Sequence, residues 1–363
     1  MAKRVSVDRW LFTVTMLLVF TGLVMVFSAS AVMAREKFHS PYAFLLKQLL
    51  WAVIGVGALW VLKNIDYRRY KHPAIVFSLL GLTTLFLIAV YFLDRSHNTH
   101  RWIRLGPMSF QPSELAKPAL ILFLAYFLES RTKLMDDWKK TLAPVAVVTL
   151  LLAGLIGKEP DLGTAVACVL IAITVMFVAG VRMKYFTVPL AFVPFVFYFA
   201  IWRVHWRHER FLAYLNPEAD PQGKGFHIIQ SLIAVGTGGV TGVGLMESKQ
   251  KLFYLPEAHT DFIFAVTAEE WGLLGTLFVV TLFGIFLWRG MRTATLTKDA
   301  FGRYLATGIT SMVVIQALFN ISVVLALLPT KGIPLPFISY GGTSLAITLA
   351  SVGVLLNITQ QTD

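Results

Sequence analysis

Apolar runs of about 20 residues, each long enough to cross the hydrocarbon core of a bilayer as a helix, recur from one end of this chain to the other. Inside lipid every backbone polar group needs an internal partner, which leaves helices or closed barrels. Uninterrupted runs of this length select helices. Of the 363 residues 56% are hydrophobic and 14% charged, against about 25% charged in soluble domains. The expected fold is an all-α polytopic membrane protein of ten transmembrane helices, at roughly 10–30, 44–62, 73–93, 113–129, 142–157, 163–180, 185–202, 261–288, 303–328 and 341–358. The first run, Trp10 to Ser30, is longer than a signal-peptide apolar core and reads as a span. The chain is expected to be one membrane domain over 1–363, with no soluble domain. Cys168 is the only cysteine, so no disulfide forms within the chain.

An even number of spans puts both termini on one side, and Lys and Arg decide which. The N-terminal tail and segments 63–72, 130–141, 181–184 and 289–303 hold 17 basic residues; the short segments on the other side hold 7. Both termini are therefore expected in the cytoplasm. The net charge of +12 is positive-inside bias and implies no nucleic-acid partner. Between spans 7 and 8 lies a large outer loop, 203–260, whose aromatics, charges and turn residues read as ordered structure. Within it Phe226 to Leu245 is apolar and of span length, but Gly236, Gly238, Gly239, Gly242 and Gly244 interrupt it. Glycine at that density weakens a helix, and the segment is expected to lie on or dip into the outer face.

Several polar residues sit where a membrane protein finds them costly. In "PEAHTDFIFAV", Asp261 is expected at the first turn of the eighth span. It is either a helix cap, favoured by the dipole, or a carboxylate of raised pKa able to act as a general base. His259 and Glu257 beside it read as orienting or interfacial groups. Glu269 and Glu270 lie about 12–13 Å deeper and read as a structural pair with a basic residue of a neighbouring span, or as functional groups. Glu114 and Lys117, three apart on one face of the fourth span, either neutralise each other or await an anionic head group. Arg101, Arg104 and Lys331 face outward against the usual bias and suit a phosphate or pyrophosphate, or snorkel to lipid head groups. Asp161 either caps the sixth span or supports a site. The stretch "PLPFISYGG" cannot be regular helix, and broken backbone at membrane depth is tolerated where it is buried or lines a cavity. No Walker A or G-x-G-x-x-G spacing is present, so group transfer would need an activated, membrane-delivered donor. His205 and His208 beside Glu209 are a weak metal pattern.

The runs "RWIRLGPMSFQPSELAK", "EPDLGT", "NPEADPQGKGFHIIQSLIAVGTGGVTGVGL", "QKLFYLPEAHTDFIFAVTAEEWGLLG" and "LLPTKGIPLPFISYGGTSL" together resemble the SEDS family of bacterial membrane proteins, FtsW, RodA and SpoVE, over essentially the whole chain. The resemblance is strongest to the FtsW-like division branch in "QKLFYLPEAHTDFIF" and "LLPTKG"; the short N-terminal tail is less typical of it. The resemblance implies a peptidoglycan glycosyltransferase of the bacterial cytoplasmic (inner) membrane that polymerises lipid II. It implies that Asp261 is the essential carboxylate, that Glu114 and Lys117 match a family pair, and that Asp161 and Lys331 match other important positions. It also implies a class B penicillin-binding protein, a transpeptidase, as partner.

On that footing Asp261 would take the proton from the 4-hydroxyl of a lipid II N-acetylglucosamine as it attacks the anomeric carbon of a polyprenyl-pyrophosphate-linked glycan, inverting it to a β-1,4 link. Arg101, Arg104, Lys331 or a divalent cation, Mg or Mn, would stabilise the leaving pyrophosphate. Glu114, Lys117, Asp161 and His259 complete the expected substrate-binding set. The alternatives are a lipid II flippase, which needs gated polar groups across the whole bilayer, and a non-catalytic scaffold for the transpeptidase.

Overall fold

A computed structural model describes residues 7–94, 100–105, 108–187, 191, 194–195 and 198–362. The chain folds into helices α1 (Arg9–Phe38), α2 (Ala43–Asn64), α3 (Pro73–Leu93), α4 (Pro112–Glu129), α5 (Ala143–Lys158), α6 (Leu162–Val178), α7 (His205–Leu215), α8 (Phe226–Gly238), α9 (Ile263–Leu296), α10 (Ala300–Val324) and α11 (Gly342–Thr359). Among the described residues seven helices are long and apolar enough to cross a membrane, α5 being counted together with the helical turn Trp138–Leu142 that precedes it; this is a multi-pass membrane protein. Two further helices coincide with expected spans. α4 carries Glu114, Lys117 and Glu129, and α6 is short. Of the expected span 185–202, residues 188–190, 192–193 and 196–197 lie outside the described residues.

Polar residues at the helix ends explain where the helices begin. Asp8 accepts from Leu11 N at 3.0 Å to open α1, Asp299 accepts from Gly302 N at 2.8 Å to open α10, and Pro73 and Pro112 occupy the first turns of α3 and α4, where the missing N–H costs nothing. α4 and α10 lie at the centre, with most of their side chains buried. α2 and α3 leave broad apolar faces exposed, as lipid-facing helices do. α1 runs on to Phe38 and α9 to Leu296, past the limits read from hydropathy, because polar residues can continue a helix beyond the apolar run.

Two features are not continuous helix. Ile103–Leu105 and Met108–Phe110 form an antiparallel hairpin, Arg104 opposite Ser109. The second is the glycine-broken segment. α8 ends at Gly238, and residues 239–244 turn back against α9 where that helix is interrupted at Gly272, φ 64°. The interruption frees carbonyls and amides. Val243 N and Gly244 N donate to Glu269 O and Glu270 O, while Leu273 N and Leu274 N donate to Gly239 O and Val240 O. The backbones approach so closely that a Cβ on Gly238 would meet Ala268 O at 1.9 Å. The segment therefore dips about 15 Å along α9 from Asp261 and returns, with its broken backbone satisfied by the break in its neighbour.

The candidate active site around Asp261

Two irregular loops meet at one end of the bundle. Residues 256–262 lead into α9, and residues 325–341 lead into α11. Their backbones are stitched together: Tyr340 N donates to His259 O at 3.0 Å, and Ser339 Oγ donates to Thr260 O at 2.6 Å. Gln48 of α2 donates to Ser339 O at 3.1 Å. Asn320, buried in α10, bridges both loops, donating to Asp261 O and to Ile333 O at 2.7 Å each. The "PLPFISYGG" stretch is irregular, as expected, and it is held against the Asp261 loop.

Asp261 lies two residues before α9, not in its first turn. The residue at the N-cap is Phe262, which makes no side-chain cap bond, and among the described residues no group donates to the Asp261 carboxylate. The cap reading therefore fails. Asp261 is half-buried as a residue, and its Oδ2 packs against Gly332. Burial pushes its pKa up to about 7, and Glu257 and Asp161 push the same way while Arg101 opposes them. An acceptor that is exposed enough to meet a ligand, bonded to nothing and poised near neutrality is suited to taking a proton.

The groups around it come from four segments. Asp161 is buried at the N-cap of α6 and accepts from Thr164 N at 3.2 Å, and its charge acts on Asp261. Arg101 donates from Nε to Glu159 O at 2.9 Å and fixes the α5–α6 turn. Lys331 makes no ion pair among the described residues. Burial lowers its pKa to about 8; Asp161 opposes this, and Arg207, Arg101 and Arg210 add to it. Arg104 is exposed on the hairpin. His259 is buried against Phe44, ring centroids 4.8 Å apart, and Tyr340, 5.8 Å; it anchors the loop.

Glu114 and Lys117 are bonded to each other, both buried and 3.0 Å apart. Lys117 also donates to Gln316 Oε1 at 2.5 Å, and Ser344 Oγ donates to Glu114 Oε2 at 2.6 Å. The pair joins α4 to α10 and α11, and Gln316 passes the linkage on to Pro334 O at 2.9 Å. Glu269 and Glu270 are also committed, though their basic partner comes from a loop rather than from a neighbouring span. Glu270 pairs with Lys251 at 2.8 Å and accepts from Ser28 at 2.6 Å. Glu269 accepts from Ser248 Oγ at 2.5 Å and Lys249 N at 3.0 Å. Apart from Ser28 of α1, their partners come from the loop after the glycine run, which folds inward.

Sequence reasoning missed four groups. Asn320 was visible, with Gln316, as an amide in the apolar run "QALFNISVV". Glu159 stands two residues before Asp161, fully buried with neither carboxylate oxygen bonded; burial and then Asp161 raise its pKa to about 9 against Arg101. Arg207 and Arg210, in the basic helix α7, act on Lys331. Among the described residues no three His, Cys, Asp or Glu side chains converge as metal ligands, and the cations around Asp161 and Asp261 disfavour a further one. The donor set does not fit a protein-held divalent ion.

A family model described as "Cell cycle protein", spanning FtsW, RodA and SpoVE, matches residues 8–363. This chain belongs to the FtsW/RodA/SpoVE family. It is 45% identical over 339 residues to the probable peptidoglycan glycosyltransferase FtsW of Geobacter metallireducens, covering 93% of this chain and 90% of that one. To the stage V sporulation protein E of Bacillus subtilis it is 42% identical over 359 residues, covering 99% and 98%. Its fold superposes with a TM-score of 0.82 and 31% identity, over 98% of both chains, on a solved chain from work on the structural coordination of polymerization and crosslinking by a peptidoglycan synthase complex. The mostly helical fold, with seven apolar spans among the described residues, resembles that solved structure.

Proposed function

We propose that this chain is a peptidoglycan glycosyltransferase that polymerises lipid II at the outer face of the bacterial cytoplasmic membrane, with Asp261 as general base. In this reading 1–363 is one membrane domain of ten spans with both termini in the cytoplasm, and the Asp261 end of the bundle faces outward. The observation that carries it is the Asp261 carboxylate: partly exposed, bonded to no donor among the described residues, and raised to about pKa 7.

Asp261 takes the proton of the acceptor's 4-hydroxyl as the new O–C1 bond forms. The C1–O bond to the diphosphate breaks, and the configuration inverts from α to β. The proton leaves Asp261 to water. Negative charge builds on the departing diphosphate, where Arg101 and Lys331 stabilise it, with Arg104 on the exposed hairpin meeting the lipid-linked sugar. Asp161 sets the field at Asp261, and His259 and Asn320 hold its loop. Glu114 and Lys117 serve through Gln316 and Pro334, by positioning.

The lipid tail has a path. An apolar groove of about 270 Å³ runs beside α9, lined by Phe264, Ala268, Gly272, Thr276 and Val280 at intervals of four, with Val235 and Ile321 opposite. It starts one turn from Asp261 and extends about 24 Å. Both reactants are lipid-tethered, so a base at the mouth of such a groove meets them where they are held. A class B penicillin-binding protein transpeptidase is the proposed partner; the solved relative belongs to a synthase complex. Incubating the purified protein and that partner with fluorescent lipid II, and resolving glycan strands by gel, tests the reading. Strands are expected. Transfer of lipid II between leaflets without strands would favour a flippase.

A further inference from the structure

α2 leaves a broad apolar face exposed, yet Gln48 in its N-terminal half is only 1% exposed. A buried amide within an apolar span is costly unless its donor and acceptor are both bonded. Both are, and by one loop. Gln48 Nε2 donates to Ser339 O at 3.1 Å, and its Oε1 accepts from Gly341 N at 3.3 Å. The amide thereby brackets Tyr340. Phe44, one turn earlier on the same face of α2, meets the Tyr340 ring edge-on at 5.1 Å. Trp51, one turn later, closes on Gly342, where a Cβ would lie 2.2 Å from the indole Nε1. One face of α2 is therefore fitted to residues 339–342.

The loop gripped in this way is under strain. Phe337 sits in the left-handed region at φ 65°, a conformation that persists in a bulky residue only where its surroundings over-determine it. Leu335–Ser339 closes on itself: Ser339 N donates to Leu335 O at 2.9 Å, and Leu335 N donates to Ser339 Oγ at 2.7 Å. That fixes Ser339 Oγ, whose own proton goes to Thr260 O. Three successive carbonyls ahead of α9 are thus held from across the gap. His259 O accepts from Tyr340 N, Thr260 O from Ser339 Oγ, and Asp261 O from Asn320 Nδ2. The Asp261 carboxylate takes no bond from any donor among the described residues, so its backbone sets its place. The first two of those backbone bonds come from Ser339 and Tyr340, the residues that Gln48 holds.

We propose that Gln48 is a positioning residue for Asp261, acting through Ser339 and Tyr340. That Asp261 is a base rests on the glycosyltransferase reading; the mechanical link stands on the hydrogen bonds. Without the amide, Ser339 O and Gly341 N lose their partners and the turn at Phe337 can relax. Ser339 Oγ and Tyr340 N then move with it, and the carbonyls before Asp261 follow.

Gln48→Leu, close in volume, tests this in the full chain with its transpeptidase partner and fluorescent lipid II. Misplacing a base by about 1 Å costs about 10²-fold, so kcat should fall about tenfold or more while KM stays within about twofold. Ser339→Ala should show the same split. The double variant should lose little more than either single, because both cut one path. A residue that only holds the fold would lower the thermal midpoint and leave kcat of the folded fraction unchanged. That result would overturn the proposal, as would losses that multiply in the double variant. Amide hydrogen exchange reads the link without turnover. In Gln48→Leu, deuterium uptake over 256–262 should rise severalfold while that of α4 stays the same. Unchanged uptake over 256–262 would also overturn the proposal. If Gln48→Leu does not fold, Gln48→Glu keeps the shape but puts an acceptor against Ser339 O, and it must give the same split and the same uptake. A wild type that makes no glycan would sink the polymerase reading, and uptake over 256–262 would still decide the link.

Discussion

A side chain at position 332 would collide with the carboxylate of Asp261: a methyl group on Gly332 would lie 2.5 Å from Oδ2 and 3.5 Å from Oδ1. The glycine leaves the carboxylate its place at the opening, and nothing else among the described residues bonds it there. Gly332→Ala should therefore displace the base while leaving the fold intact. Misplacement by about 1 Å costs about 10²-fold in rate, and a loss of that order is expected, with the thermal midpoint unchanged. Full activity in the variant would show that the carboxylate does not need this position.

The pH dependence of the reaction should be bell-shaped. Asp261 must be ionised to accept a proton, and burial raises its pKa to about 7, so activity falls as pH drops below about 7. Lys331 must be charged to steady the diphosphate, and burial lowers it to about 8, so activity falls again above about 8. Measuring kcat/KM across this range checks both limbs. Lys331→Arg, whose charge persists, should remove the alkaline fall and keep the acidic one.

Glu159 gives a prediction of opposite kind. Burial, reinforced by Asp161, raises its carboxyl to about 9, so at neutral pH the folded protein holds it as the acid. A raised carboxyl favours the fold below its unfolded pKa, and that advantage is lost as pH rises toward the folded value. Glu159→Gln, neutral and of the same shape, should keep activity within about twofold, well short of the 10²–10⁴-fold expected for a proton-transfer group. Its thermal midpoint should exceed that of the wild type at alkaline pH and converge with it near the unfolded pKa. A variant less stable at every pH would contradict this.

The Glu114–Lys117 pair should behave as a structural junction. Removing one partner leaves a buried charge uncompensated, at a cost of about 3–5 kcal/mol. Glu114→Gln or Lys117→Met should lower the thermal midpoint sharply, and the double variant should recover much of the loss. Single variants as stable as the wild type would mean the pair contributes nothing to the junction between α4, α10 and α11.

Hydropathy made the helices legible because lipid demands long apolar runs, and the breaker content of 334–342 foretold irregular backbone there. The sequence also pointed at Asp261, Asp161, Arg101 and Lys331, since charges at the ends of apolar runs are costly. It could not separate a cap from a free carboxylate at Asp261, because both use the same residue at the same place. The difference lies in Phe262 holding the N-cap and in Gly332 packing on Oδ2. Nor could it show that Lys251, from a loop, reaches Glu270 and Ser28, or that Arg207 of α7 reaches Gly157 O. Those contacts depend on how the 203–260 segment folds back, which follows from the mutual fit of the glycine run and the break at Gly272 rather than from any local pattern.

The central claim is that Asp261 is the base of a lipid II polymerase, and the most direct test is strand formation by Asp261→Asn beside wild type. Both proteins are mixed with the class B transpeptidase and fluorescent lipid II, after thermal midpoints confirm equal folding. The account predicts a fall of about 10²–10⁴-fold in strand synthesis, with lipid II binding retained. Strands formed at the wild-type rate by the asparagine variant would contradict it.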